Sequence, residues 1–239
     1  MLGLRLPTRS VARDEAEKPF WISFSDLMTA LMVLFLVAMA VALVAVTQSV
    51  RKIASLEEQR KAEIEVCMSD VTAITKLFPG VTVQGYSIDF GTHALFATNS
   101  HMLGDKAGIT LRNFVPRVLE VAKHPSCDKW FKRVIVEGFA SRSGTYMHNL
   151  NLSLQRAKRV LCVLLDSSEK AINPLSEADR KAVRALFLVG GSSFNALKEN
   201  DFDSQRVELK LEFLNPGESR AASRDVSLDS GFFCPIDKT

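Results

Sequence analysis

The chain has 239 residues, 47% hydrophobic and 24% charged, with a formal net charge of +3. A composition this close to the folded average excludes an intrinsically disordered chain, and the length allows one domain or two. With 30 Lys and Arg against 27 Asp and Glu there is no polyanion-binding arm, so no direct contact with nucleic acid is expected.

Residues 1–19 read as a short tail, followed by a membrane helix over 20–46. Leu27 to Val50 is a run of 24 residues without a charge. At 1.5 Å per residue that is roughly 36 Å of helix, enough to cross a hydrocarbon layer of about 30 Å. Phe20 and Trp21 precede it, as suits aromatic side chains at a membrane interface. The run is too long for a signal-peptide core and ends in no small-x-small cleavage pattern, so an uncleaved single span is expected. Arg5, Arg9, Arg13 and Lys18 before it balance Arg51, Lys52, Arg60 and Lys61 after it, which leaves the orientation open.

Asp26 stands at the amino-terminal edge of this run. A short carboxylate cannot snorkel, and Asp in a membrane helix costs up to about 2.5–3.5 kcal/mol, less near the interface. It either caps the helix in the headgroup layer or carries an ion along a partner-lined path. Thr29, Ala30, Val33 and Val37 continue its face as a mostly small surface suited to close helix packing. One helix makes no conduit, so the second role requires other subunits.

Residues 47–79 read as a helical linker closed by Pro79-Gly80. Val46, Val50, Ile53, Ile64, Cys67, Val71, Ile74 and Phe78 follow three- and four-residue steps, interrupted by Glu57 and Arg60. That seam suits either a second copy of the chain or the surface of the next domain.

Residues 80–214 alternate strands and helices and predict an α+β sandwich with a mixed sheet. Strands are expected at Val81–Phe90, Phe131–Gly138, Ala185–Gly190 and Arg206–Phe213, and helices at Ala107–Ala122 and Asn149–Leu165. Residues 215–239 form a C-terminal tail. His93, His101, His124 and His148 show no metal-ligand spacing, and no nucleophile motif is present, so neither an enzyme nor a bound cofactor is expected.

Two stretches resemble known families. Trp21-Ile-Ser-Phe-Ser-Asp26 and the Met-Thr-Ala run to Val37, 17 residues in all, are similar to the membrane signature of MotB-type stator subunits. The resemblance implies that Asp26 carries the ion, H+ rather than Na+, and that the chain is a homodimer inside a ring of MotA-type subunits. It also implies a cytoplasmic amino terminus, a single pass through a bacterial inner membrane and a periplasmic C-terminal domain. On this basis the linker seam is expected to join two copies.

Val136-Glu-Gly138-Phe-Ala-Ser141, then Gly144, Asn149, Leu152-Ser153 and Arg156-Ala157, resemble the peptidoglycan-binding motif of OmpA-like domains. The likeness spans roughly residues 82–213 and implies a site made of Phe139, Ser141, Tyr146, His148, Asn149, Leu152 and Arg156. Arg156 would offer its fork to a carboxylate of diaminopimelate. The family's Gly-His-Thr-Asp is altered, with Phe139 for its His and Ser141 for its Asp, so the anionic partner for the ligand's ammonium is missing.

Glu15 to Ser23 and the altered wall motif look more like the stator subunits of Zorya anti-phage systems than flagellar ones, which implies a ZorA-like partner ring. A flagellar stator subunit and a passive wall anchor are the alternatives. Cys67, Cys127, Cys162 and Cys234 all follow the span, and on a periplasmic side they can form disulfides. At least one bridge to Cys234 is expected, and Cys67 can alternatively meet its twin in a dimer.

Overall fold

The computed structural model describes residues 17–168, 171–220 and 234–238. The chain divides into two compact units, residues 1–56 and 57–239. Most of the expected tail over 1–19 and the stretch 221–233 of the expected C-terminal tail lie outside the described residues.

Helix α1 runs Glu17–Thr75. Within the first unit its side chains from Trp21 to Leu56 are exposed, including Leu34 and Phe35 at 67% and 68%. A helix apolar on every face is stable only where lipid or other helices surround it, and the uncharged part of this stretch, Leu27 to Val50, is long and apolar enough to cross a membrane. Val46, Val50 and Ile53 of the expected seam are exposed with it.

The second unit begins at residue 57 and takes in the last part of α1. Ile64, Cys67, Val71 and Ile74 are buried in the same core as the sheet. The expected seam is therefore corrected from residue 57 onward: these positions face the chain's own domain, and the linker boundary at 79 falls inside a folded unit. Phe78, the last of the series, meets Phe114 edge-on at 5.2 Å.

The attachment is also polar and covalent. Arg60 Nε donates to the Leu214 carbonyl at 2.6 Å. Cys67 is bonded to Cys127, which rules out pairing with its twin in this state and closes a loop of 60 residues. On the chain-entropy account such a bridge contributes about 4 kcal/mol. The Glu63 carboxylate accepts from Lys129 Nζ at 2.9 Å and from Trp130 Nε1.

These donors, Lys129 first, hold the Glu63 carboxyl down at about 2, against an ordinary 4.5. A depressed carboxyl stabilises the fold fully above its unfolded value and loses that contribution as pH falls. The melting difference between the native chain and Glu63→Gln should thus be full at pH 7, shrink below pH 4.5 and vanish near pH 2. A difference that stays constant across that window in a calorimetric series would refute the assignment.

The sheet has five strands in the order β1-β2-β5-β3-β4: β1 Thr82–Gln84, β2 Ser87–Asp89, β3 Phe131–Gly138, β4 Phe187–Gly191 and β5 Val207–Phe213. Only β3 and β4 are parallel, so the sheet is mixed. Its register lines up Ile88, Leu209, Val136 and Val189 across four strands on one face. That face is covered by helices α2 (Asp105–Ala122) and α4 (Tyr146–Leu165), whose inward residues include Leu111, Phe114, Val115, Ala157 and Val160. The other face carries alternating charge, as in the pair Arg133–Glu212 at 2.5 Å.

Two expectations are corrected and one element is added. Val81–Phe90 is a hairpin rather than one strand, because Gly85 turns the chain. The strand expected from Ala185 begins at Phe187, after a helix α5 (Glu177–Leu186) that periodicity did not suggest. Between α2 and β3 lies a further short helix, α3 (Pro125–Asp128), which holds Cys127. Cys162 is bonded to Cys234, fastening the described end of the tail to α4 as expected for Cys234.

Gly138 explains how close α4 comes to the sheet. A Cβ there would lie 1.9 Å from the Ser153 carbonyl oxygen, and one on its strand neighbour Gly191 would lie 2.6 Å from Ser153 Oγ. Only hydrogen fits at either position, and this contact sets where the loop from β3 into α4 leaves the sheet.

Candidate functional site

That loop, residues 139–145, is pinned on its sheet side. Phe139 N donates to the Arg206 carbonyl at 2.9 Å and Ala140 N to the Ser193 carbonyl at 2.8 Å. Gly144 turns it with φ +100°, and Thr145 caps α4 by accepting from the His148 amide. Asn149 Nδ2 reaches back to the Ser143 carbonyl at 2.8 Å, closing the loop over the first turn of the helix.

Between this loop and residues 97–100 lies a pocket of about 240 Å³, lined by Thr98, Asn99, Ser141, Ser143, Gly144, His148, Asn149 and Leu152. His148 Nε2 and Asn99 Oδ1 sit 2.8 Å apart across it. Asn99 adopts a left-handed φ of +55°, which its short polar side chain tolerates. Four of the seven expected residues, Ser141, His148, Asn149 and Leu152, are brought together here. Thr98, Asn99 and Ser143 were not singled out from sequence, although Asn99-Ser100 carries a turn signal.

The other three expected residues stand elsewhere. Tyr146 is half exposed and meets Phe194 edge-on at 5.7 Å, outside the lining. Phe139 is buried, with the Arg206 guanidinium stacked 4.2 Å from its ring centre.

Arg156 requires a correction. Its side chain is fully buried and its fork is already spent inside the protein. Nε donates to the Ser100 carbonyl at 2.9 Å and Nη1 to the Phe139 carbonyl at 2.7 Å. Nη2 donates to the Ala97 carbonyl and to Gln205 Oε1, both at 3.1 Å. The Phe96 ring lies 5.0 Å from the guanidinium carbon. Burial draws its pKa down to about 10, which leaves it charged at neutral pH. Arg156 thus ties together the two segments that wall the pocket and does not present donors to a ligand.

Asp26 lies on an exposed face of α1, one turn before Thr29, whose Oγ1 donates to the Ser25 carbonyl at 2.6 Å. Its helical position places Thr29, Ala30, Val33 and Val37 on the same side, a surface for other helices rather than for the described chain itself.

A family model described as "Membrane MotB of proton-channel complex MotA/MotB" matches residues 8–59. The Zorya protein ZorB of Escherichia coli O139:H28 is 38% identical over 229 residues, which is 95% of this chain and 93% of that protein. Among solved structures, the OmpA-like domain of FopA1 from Francisella tularensis is 20% identical, over 56% of this chain and 82% of that one, with a TM-score of 0.35. The cell wall anchor of the T6SS from Pseudomonas aeruginosa is 21% identical, over 60% and 94%, with a TM-score of 0.36.

Proposed function

The chain belongs to the family of the Zorya protein ZorB, a MotB-type family, and on that premise we propose that it is the wall-anchored subunit of a proton-driven motor in the bacterial inner membrane. The observation that carries this reading is Asp26 at the edge of the one apolar span among the described residues, inside the stretch that matches the MotB family model. Two copies would stand inside a ring of ZorA-like, MotA-type subunits, with the amino terminus in the cytoplasm. Asp26 would take up a proton from one side, and release it to the other, as the ring moves past. No bound cofactor is needed, because the ion is cargo.

The second unit would hold the assembly to peptidoglycan in the periplasm, the compartment in which its two disulfides are stable. Held against the wall, the dimer gives the ring something to turn against, and ion flow becomes work available to anti-phage defence. In a host that carries the system, deleting this chain should raise phage plating to the level of cells without the system and leave swimming unchanged. Unchanged plating together with lost swimming would replace this reading with the flagellar one.

A further inference from the structure

We propose that the pocket at the start of α4 takes an uncharged, amide-bearing group of the cell wall rather than the ionised end of diaminopimelate, a reading that rests on the wall-anchoring role above. The end group of diaminopimelate carries an ammonium and a carboxylate side by side. Moving either into a pocket without a counter-charge costs far more than a neutral hydrogen bond returns. None of the eight lining residues is Asp, Glu, Lys or Arg. The acid that would take the ammonium is replaced by Ser141, and the guanidinium that would take the carboxylate is buried and bonded to four protein oxygens.

What the pocket does offer is hydroxyl and amide chemistry. Thr98, Ser141 and Asn149 supply neutral donors and acceptors, and Leu152 supplies an apolar contact for a methyl group. The one titratable lining group, His148, is already engaged with Asn99. Arg142, between two lining serines, is exposed and does not line the pocket. At about 240 Å³ the space suits one small group. Two sources in the wall share this chemistry: the N-acetyl groups of the glycan strand and an amidated carboxyl of the stem peptide.

The full-length chain in detergent should sediment with purified sacculi. A peptide-free N-acetylglucosamine–N-acetylmuramic acid disaccharide, or a stem tripeptide whose D-glutamate α-carboxyl is amidated, should displace it, and which of the two does so identifies the source. Free diaminopimelate should not compete, and the apparent Kd should change by less than about twofold between low and high salt, because no ion pair is screened. Ser141→Ala should weaken binding severalfold with no change in melting. Salt-sensitive displacement by free diaminopimelate, or sacculus binding that neither amide-bearing probe displaces, would overturn the proposal. Failure of the native chain to sediment with sacculi would instead remove the wall-anchoring role itself.

Discussion

Asp26→Asn should leave a normally abundant, membrane-inserted and wall-bound protein that no longer protects cells from phage. Asparagine keeps the size and hydrogen-bonding shape of the side chain but stays neutral at every pH, so it cannot take up and release a proton. Asparagine brings no charge into the membrane helix, so inserting the variant costs no more than inserting the native chain, which protects its abundance. The second unit begins 31 residues further on and is built around its own core. Loss should therefore be complete in a plating assay and in a ratiometric measurement of cytoplasmic acidification, while membrane fractionation and sacculus sedimentation match the native chain. Asp26→Glu keeps the exchangeable proton on a side chain one methylene longer and should retain part of the activity. If Asp26→Asn protects as well as the native chain, the carboxylate is only a helix cap and the subunit a passive anchor.

How far such readings reach from sequence depends on which physical signal a segment carries. The apolar run from Leu27 to Val50 needs no tertiary context, because a span is defined by length and the absence of charge. β3 and β5 were legible because each buries one face, so alternation survives in Val134, Val136, Leu209 and Leu211. Helix α5 is only ten residues long and rests on Val183, with Ala182 and Leu186 partly buried beside it, too few positions to stand out in the sequence, although Ser176 and Asp179 form the cap that its sequence advertises. The seam at Ile64, Cys67, Val71 and Ile74 illustrates a deeper limit: spacing shows that a helix face is covered, not what covers it. For the pocket, the helix spacing of Asn149, Leu152 and Arg156 was readable. It could not show that Arg156 points beneath the loop while the other two line the cavity.

That difference leads to the second large effect. Arg156→Met should lower the melting temperature of the second unit by roughly 10 °C. The methionine fills much of the same volume but leaves three backbone carbonyls and the Gln205 side chain without their donor. Unmade hydrogen bonds to buried groups cost about 1–3 kcal/mol each, partly offset by no longer burying a charge, so a net loss of about 3–5 kcal/mol is expected. In a unit of this size each kcal/mol moves Tm by about 2–4 °C. Arg156→Lys keeps the charge but not the planar fork, and one ammonium cannot span acceptors on residues 97, 100, 139 and 205. It should therefore melt below the native chain as well, which a role through charge alone does not predict. Hydrogen exchange should speed up at residues 97–100 before it does in β3 or β5, since Arg156 is what ties that segment to the loop after β3. Wall binding should fall only as far as this loosening dictates. A variant that melts like the native chain and yet loses sacculus binding would put Arg156 back among the ligand's own contacts.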